Sequence, residues 1–96
     1  MERLKDKVAI ITGGAAGIGK STAALFLKEG ANVMLVDINK EKLEATSKEL
    51  NSSKLAFCMA DVSNPADVER YTAETLSKFG KIDVFFNNAG IEGTSS

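Results

Sequence analysis

Between Thr12 and Ser21 the chain reads TGGAAGIGKS, and its glycines suit two kinds of phosphate chemistry. Counted from Gly14, the run fits G-x-x-x-x-G-K-[ST] through Gly19, Lys20 and Ser21. In that pattern a loop wraps a nucleoside triphosphate, the lysine meets the outer phosphates and the hydroxyl meets magnesium. Counted from Gly13, with Gly17 and Gly19, it is instead the glycine turn of a dinucleotide-binding fold, which lays a pyrophosphate on a helix N-terminus. Both uses rest on the same physics: a backbone without Cβ turns tightly and brings its N–H groups close to phosphate oxygens. Asp37, ending VMLVD, serves either reading. It would hold a metal's water shell in the first, and accept the two ribose hydroxyls of an adenosine in the second, about 20 residues beyond the glycines.

The remaining residue types narrow the chemistry. A single cysteine and no histidine exclude an internal disulfide, a zinc site of the usual ligands and a His-dependent triad. Cys58 lies in the apolar segment LAFCMA and reads as a buried structural thiol rather than a nucleophile. The net charge is −1, and Lys40, Lys42 and Lys48 are interleaved with Glu41, Glu44 and Glu49, so no nucleic-acid partner is expected. Apolar runs such as Val8 to Ile11 and Val33 to Val36 fall far short of the roughly 20 residues that span a bilayer, and MERLKDK is no secretory leader. The expectation is therefore no membrane partner and a cytoplasmic location. With 96 residues there is room for one domain at most.

The elements that must position the glycines and acids follow from periodicity. KVAIIT is apolar on both faces, as a central parallel strand requires. A helix is expected from about Gly19 to Glu29, with Ile18, Thr22, Leu25 and Phe26 near one side and Gly30 as its stop. ANVMLVD is the second strand, and Asn39 caps a helix over KEKLEATSKEL whose apolar positions are Leu43 and Leu50. KLAFCMA is the third strand; Asn64 as cap and Pro65 at the first helical position then open a helix. Its stripe is Val68, Tyr71, Thr72, Thr75, Leu76 and Phe79, ended by Gly80. IDVFFNNAG is the fourth strand with its exit loop, and Phe57, Phe85 and Phe86 are assigned to core packing. The order β-α-β-α-β-α-β with right-handed crossovers makes an α/β fold, a parallel sheet with helices on both faces. Ligands belong where the C-terminal strand ends meet the switch in strand order.

Asp61, Val62, Asn87, Asn88, Ala89 and Gly90 fall at the ends of the third and fourth strands, and here the sequence closely resembles the short-chain dehydrogenase/reductase family. The resemblance covers residues 7 to 91 and rests on Thr12 to Gly19 as T-G-x-x-x-G-x-G, on Asp61-Val62, and on Asn87-Asn88-Ala89-Gly90. It implies a Rossmann-type domain, of which residues 1–96 are the N-terminal, cofactor-binding part. By the same resemblance Gly13 and Gly17 make the turn, Ile18 and Gly19 bring backbone to the pyrophosphate, and Asp37 binds the adenosine ribose. Asp61 would take the adenine amino group with Val62 beside it, and Asn88, Ala89 and Gly90 would line the ribose and nicotinamide side. Asn87 is credited with bracing the sheet, and Lys20 and Ser21 become ordinary first-turn residues. A carboxylate at position 37 accepts two hydroxyls but repels a 2′-phosphate, and Ile38 offers no compensating cation, so NAD is expected over NADP.

The family's reaction, as the resemblance implies it, is hydride transfer between a nicotinamide and an alcohol or carbonyl substrate, served by a serine and by a tyrosine with a lysine four residues later. The only tyrosine here, Tyr71, has Thr75 four residues on, and Ser95 and Ser96 have no base partner, so no catalytic residue is assigned. The expectation is the NAD-binding portion of an oxidoreductase, inactive by itself. The alternatives are a complete small nucleotide-binding or interaction module without catalysis and, more distantly, a triphosphate-binding loop protein. The fourth strand is expected to leave an open sheet edge, which predicts self-association, and family members are commonly homo-oligomers.

Overall fold

In a computed structural model of the chain, which describes residues 3–15 and 17–88, the unbroken apolar run becomes strand β1 (Val8–Thr12), buried at every position. The alternating elements follow as α1 (Gly17–Lys28), β2 (Asn32–Asp37), α2 (Lys40–Leu50), β3 (Leu55–Met59), α3 (Pro65–Phe79) and β4 (Val84–Asn87). All strands are parallel in the order β3-β2-β1-β4, so consecutive elements run outward from β1 to β3 and the chain then crosses back to place β4 on the other side of β1. The switch in strand order lies between β1 and β4, where an open α/β sheet forms its ligand crevice.

Side-chain alternation sorts the core into two layers. Ile11, Val33 and Leu35 face α1 and α2, where they pack with Ala23, Ala31 and Leu43. Ile10, Met34, Val36 and Cys58 face α3 and pack with Tyr71. Each fully buried aliphatic side chain here contributes about 1.5–3 kcal/mol. Local signals set the helix ends as expected. Asn39 Oδ1 accepts the Lys42 N–H at 3.0 Å, Asn64 Oδ1 accepts the Ala66 N–H at 2.9 Å with Pro65 following, and Gly80 closes α3 in the left-handed region at φ 86°. Asp83 aligns the sheet at its lower end, its carboxylate accepting the Val8 N–H at 2.9 Å while its own N–H donates to the Val8 carbonyl at 2.8 Å.

Three expectations are corrected. Helix α1 starts at Gly17, not Gly19, and it buries Gly19 and Ala23, with Phe26 and Leu27 half-buried, while Ile18 is 61 % and Leu25 55 % exposed. Small residues four apart let the helix lie close on the sheet, so contact follows the glycine and alanine rather than the larger side chains. Phe57 and Phe85 are also exposed, on β3 and β4, the outer strands of the described sheet; Phe86 packs on the layer of Ile11 and Leu35, and Phe85 rests its ring 6.2 Å from that of Tyr71. On α3 the buried residues are Tyr71 and Thr75, whereas Leu76 is exposed. No strand among the described residues pairs with the outer side of β4. No helix among them is long and apolar enough to cross a membrane.

Candidate functional site

The glycine run connects β1 to α1 at the C-terminal edge of the sheet. Gly13 at φ 65° and Gly17 at φ 61° occupy the left-handed region, which side chains other than glycine enter only at a cost. Gly19 is required for another reason. A Cβ there would overlap the Gly13 carbonyl oxygen and come within 2.9 Å of Gly13 C and Gly14 Cα, so the first turn of α1 lies directly against the backbone of the glycine turn.

The turn is tied down from every neighbouring element. The Gly14 N–H donates to the Val36 carbonyl at 3.2 Å, and the Ala15 N–H to Asp37 Oδ2 at 3.2 Å, joining the turn to the end of β2. From α2, the buried Thr46 hydroxyl donates to the Ala15 carbonyl at 2.7 Å. From the end of β4, Asn88 Nδ2 donates to the Gly13 carbonyl at 3.1 Å, while Asn87 Oδ1 accepts the Thr12 hydroxyl at 2.9 Å across the β1–β4 ladder. Asn87 thus braces the sheet, as expected, and Asn88, buried at 1 %, holds the turn itself.

What remains is a helix N-terminus suited to an anion. The first N–H groups of an α-helix, here those of Gly17, Ile18 and Gly19, have no intrahelical acceptors. The helix dipole is positive at that end, and α1 carries no acid in its first turn to oppose an incoming phosphate. Asp37 stands beside the turn, half-exposed, its Oδ1 also accepting the Asn39 N–H at 3.1 Å. At the end of β3, Asp61 Oδ1 accepts both the hydroxyl and the N–H of Ser63, at 2.6 and 2.9 Å, which holds its carboxyl below the usual value. The Asp61 N–H is itself held by Asp67 of α3 at 2.9 Å. Val62 packs on the α3 side of the core. The Ala60 N–H donates to the Asp37 carbonyl at 3.0 Å, which keeps the ends of β2 and β3, and with them the two acids, side by side. Ala89 and Gly90 lie outside the described residues.

The triphosphate reading meets a different arrangement. The Lys20 ammonium pairs with Glu49 of α2 at 2.6 Å, and Ser21 is exposed on α1. A triphosphate loop needs both turned toward the outer phosphates and the metal. Among the described residues no group of three potential ligand side chains converges on a metal position. Cys58 and Tyr71 belong to the core. Burial and the nearby Glu74 push the thiol up, and burial pushes the phenol up, so neither is poised as a nucleophile or base at neutral pH. Thr46 was not singled out from the sequence, where Leu43 and Leu50 are the only apolar positions assigned to its helix. The available signal was its position three residues after Leu43, on the face that α2 buries.

A parallel sheet whose glycine turn meets a helix N-terminus beside a strand-ending acid defines the nucleotide-binding part of a doubly wound fold. The sequence profile of the short chain dehydrogenase family matches residues 7–96, and the chain belongs to that family. It is 45 % identical to levodione reductase of Leifsonia aquatica over 95 residues, covering 95 % of this chain and 36 % of the relative. It is also 45 % identical to momilactone A synthase of Oryza sativa subsp. japonica over 91 residues, covering 95 % of this chain and 33 % of the relative. Among solved structures it is similar to a 3-ketoacyl-(acyl-carrier-protein) reductase of Brucella melitensis complexed with NADH, at TM-score 0.82 and 40 % identity over 85 % of this chain and 33 % of that one. The structure of levodione reductase matches at TM-score 0.82 and 40 % identity over 86 % of this chain and 34 % of that one. The chain spans about a third of the length of these relatives.

Proposed function

We propose that residues 1–96 form the NAD-binding portion of an oxidoreductase that transfers hydride between a nicotinamide cofactor and an alcohol or carbonyl substrate. The observation that carries the reading is the grip of α1 on the glycine turn at Gly19, with Asp37 fastened to the same turn through Ala15. A nicotinamide dinucleotide, when bound, supplies the hydride acceptor or donor. The chain's own residues bind and orient. Gly13 and Gly17 shape the turn, the backbone of Ile18 and Gly19 meets the pyrophosphate, and Asp37 turns toward the adenosine ribose. Asp61 and Val62 flank the adenine, and Asn88, with Ala89 and Gly90, borders the ribose and nicotinamide side.

Asp37 makes NAD the preferred cofactor. Its carboxylate accepts ribose hydroxyls and opposes a 2′-phosphate, and the neighbouring Ile38 projects 68 % exposed without a charge. No residue of the chain is assigned to proton transfer, since Tyr71 is buried in α3 beneath Phe85, so the 96 residues alone are inactive in this reading. The parent enzyme is proposed to act as a homo-oligomer. Calorimetric titration of the chain with NAD and with NADP tests the cofactor assignment. NAD is expected to bind at least about tenfold tighter, roughly 1.4 kcal/mol, and Asp37→Ser to erase the difference. Equal affinities in the unmutated chain, or tighter NADP, would reject it.

A further inference from the structure

We infer that Thr46 is a positioning residue of the dinucleotide site, holding the Ala15 carbonyl against α2 so that it cannot turn toward the pyrophosphate. The inference rests on the functional reading above and extends it to a residue outside the glycine and acid motifs.

A buried threonine in a helix ordinarily satisfies its hydroxyl locally. Its hydroxyl bonds a carbonyl one turn back along its own helix. Thr75 does this in α3, donating to the Tyr71 carbonyl at 2.7 Å while fully buried. Thr46 is equally buried, at 4 %, yet its hydroxyl reaches across 31 residues of sequence to the Ala15 carbonyl, also at 2.7 Å. The proton is therefore spent on the turn.

Ala15 is thereby gripped at both of its backbone polar groups, its N–H by Asp37 at 3.2 Å and its carbonyl by Thr46. This places the residue under control of β2 and α2 together. A carbonyl oxygen carries partial negative charge, and one left to rotate beside a helix N-terminus that receives a phosphate opposes that phosphate. Drawn onto Thr46, it faces α2 instead. The same bond steadies the partner of Asp37, so the pyrophosphate turn and the ribose acid keep one geometry.

The test compares Thr46→Val, which keeps the shape and removes the hydroxyl, with Thr46→Ser, which keeps the hydroxyl. Melting curves set a titration temperature at which every variant is fully folded, and NAD is then titrated by calorimetry. Thr46→Val is expected to bind NAD about tenfold more weakly, and Thr46→Ser to stay within about twofold of the unmutated chain. Should Thr46→Val fail to fold, Thr46→Cys against Thr46→Ser makes the same comparison, since a thiol is a poor donor. A merely structural threonine would lower the melting temperature and leave the affinity of the folded protein unchanged, and that result would overturn the inference, as would equal weakening by the two variants. If the unmutated chain binds no NAD, the functional reading falls first and this inference with it.

Discussion

Replacing Gly19 by alanine should damage both stability and cofactor binding, and the size of the effect follows from what the added methyl meets. It overlaps the Gly13 carbonyl and presses within 2.9 Å of Gly13 C and Gly14 Cα, all backbone atoms of a turn held by Val36, Asp37, Thr46 and Asn88. No flexible side chain can swing away. Forcing a methyl into such a site costs about 1–3 kcal/mol, and the helix-propensity gain of alanine, at most about 1 kcal/mol, is only partly realised in a first turn. A net loss of about 2 kcal/mol corresponds to a fall in melting temperature of roughly 10 °C for a domain of this size. Gly17→Ala is the control. It meets nothing within 4 Å but must hold φ near 61°, so it carries only the left-handed strain of about 1–2 kcal/mol. Thermal unfolding followed by far-UV circular dichroism reads both, and calorimetry reads NAD affinity in whatever remains folded. A Gly19→Ala chain that melts within about 2 °C of the unmutated one would refute the steric reasoning, because the turn would then be soft.

Asn88→Ala should leave the Gly13 carbonyl without its 3.1 Å donor and cost about 1–3 kcal/mol in urea unfolding, with NAD affinity falling in parallel. The Asp83 carboxyl is held below its ordinary value of 3.8, first by the Val8 N–H and then by Lys81, so its stabilisation is complete above that pH and is lost as pH falls through the depressed value. The melting-temperature gap between the unmutated chain and Asp83→Ala should therefore be constant from neutral pH down to about 4 and shrink only in stronger acid; a gap that grows on acidification would contradict the assignment. The Cys58 thiol, 6 % exposed and pushed above its ordinary value of 9.0 by burial and Glu74, should react with an aromatic disulfide far more slowly in the folded chain than in urea, and equal rates would show that the α3 side of the core is open.

The parts of the fold legible from sequence are those decided locally. Val8–Thr12 is apolar at consecutive positions, Asn39 and Asn64 are side chains that cap, Pro65 fits only a first turn and Gly80 only a left-handed end. The spacing from Gly13 to Asp37 likewise survives into space, because strand, turn, helix and strand fold back in one unit that brings Asp37 to Ala15. What could not be read is what depends on neighbours distant in sequence. Ile18, Leu25 and Phe85 look like core by type, but their exposure is set by how closely α1 approaches the sheet and by β4 being an outer strand among the described residues. Thr46 and Lys20 look like surface residues of their helices. Their partners, Ala15 and Glu49, lie about 30 residues away, and no period in either segment encodes them.

The measurement that tests the site most directly is amide chemical-shift mapping of the isotopically labelled chain during titration with NAD. The expected result is a contiguous set of shifted amides at Gly13 to Gly19, Asp37 to Asn39, Asp61 and Val62, and Asn88, with the middle of α3 around Glu74 and Ser77 unchanged. Shifts confined to that part of α3, or a response at Lys20 and Ser21 to a nucleoside triphosphate with magnesium and none to NAD, would contradict it.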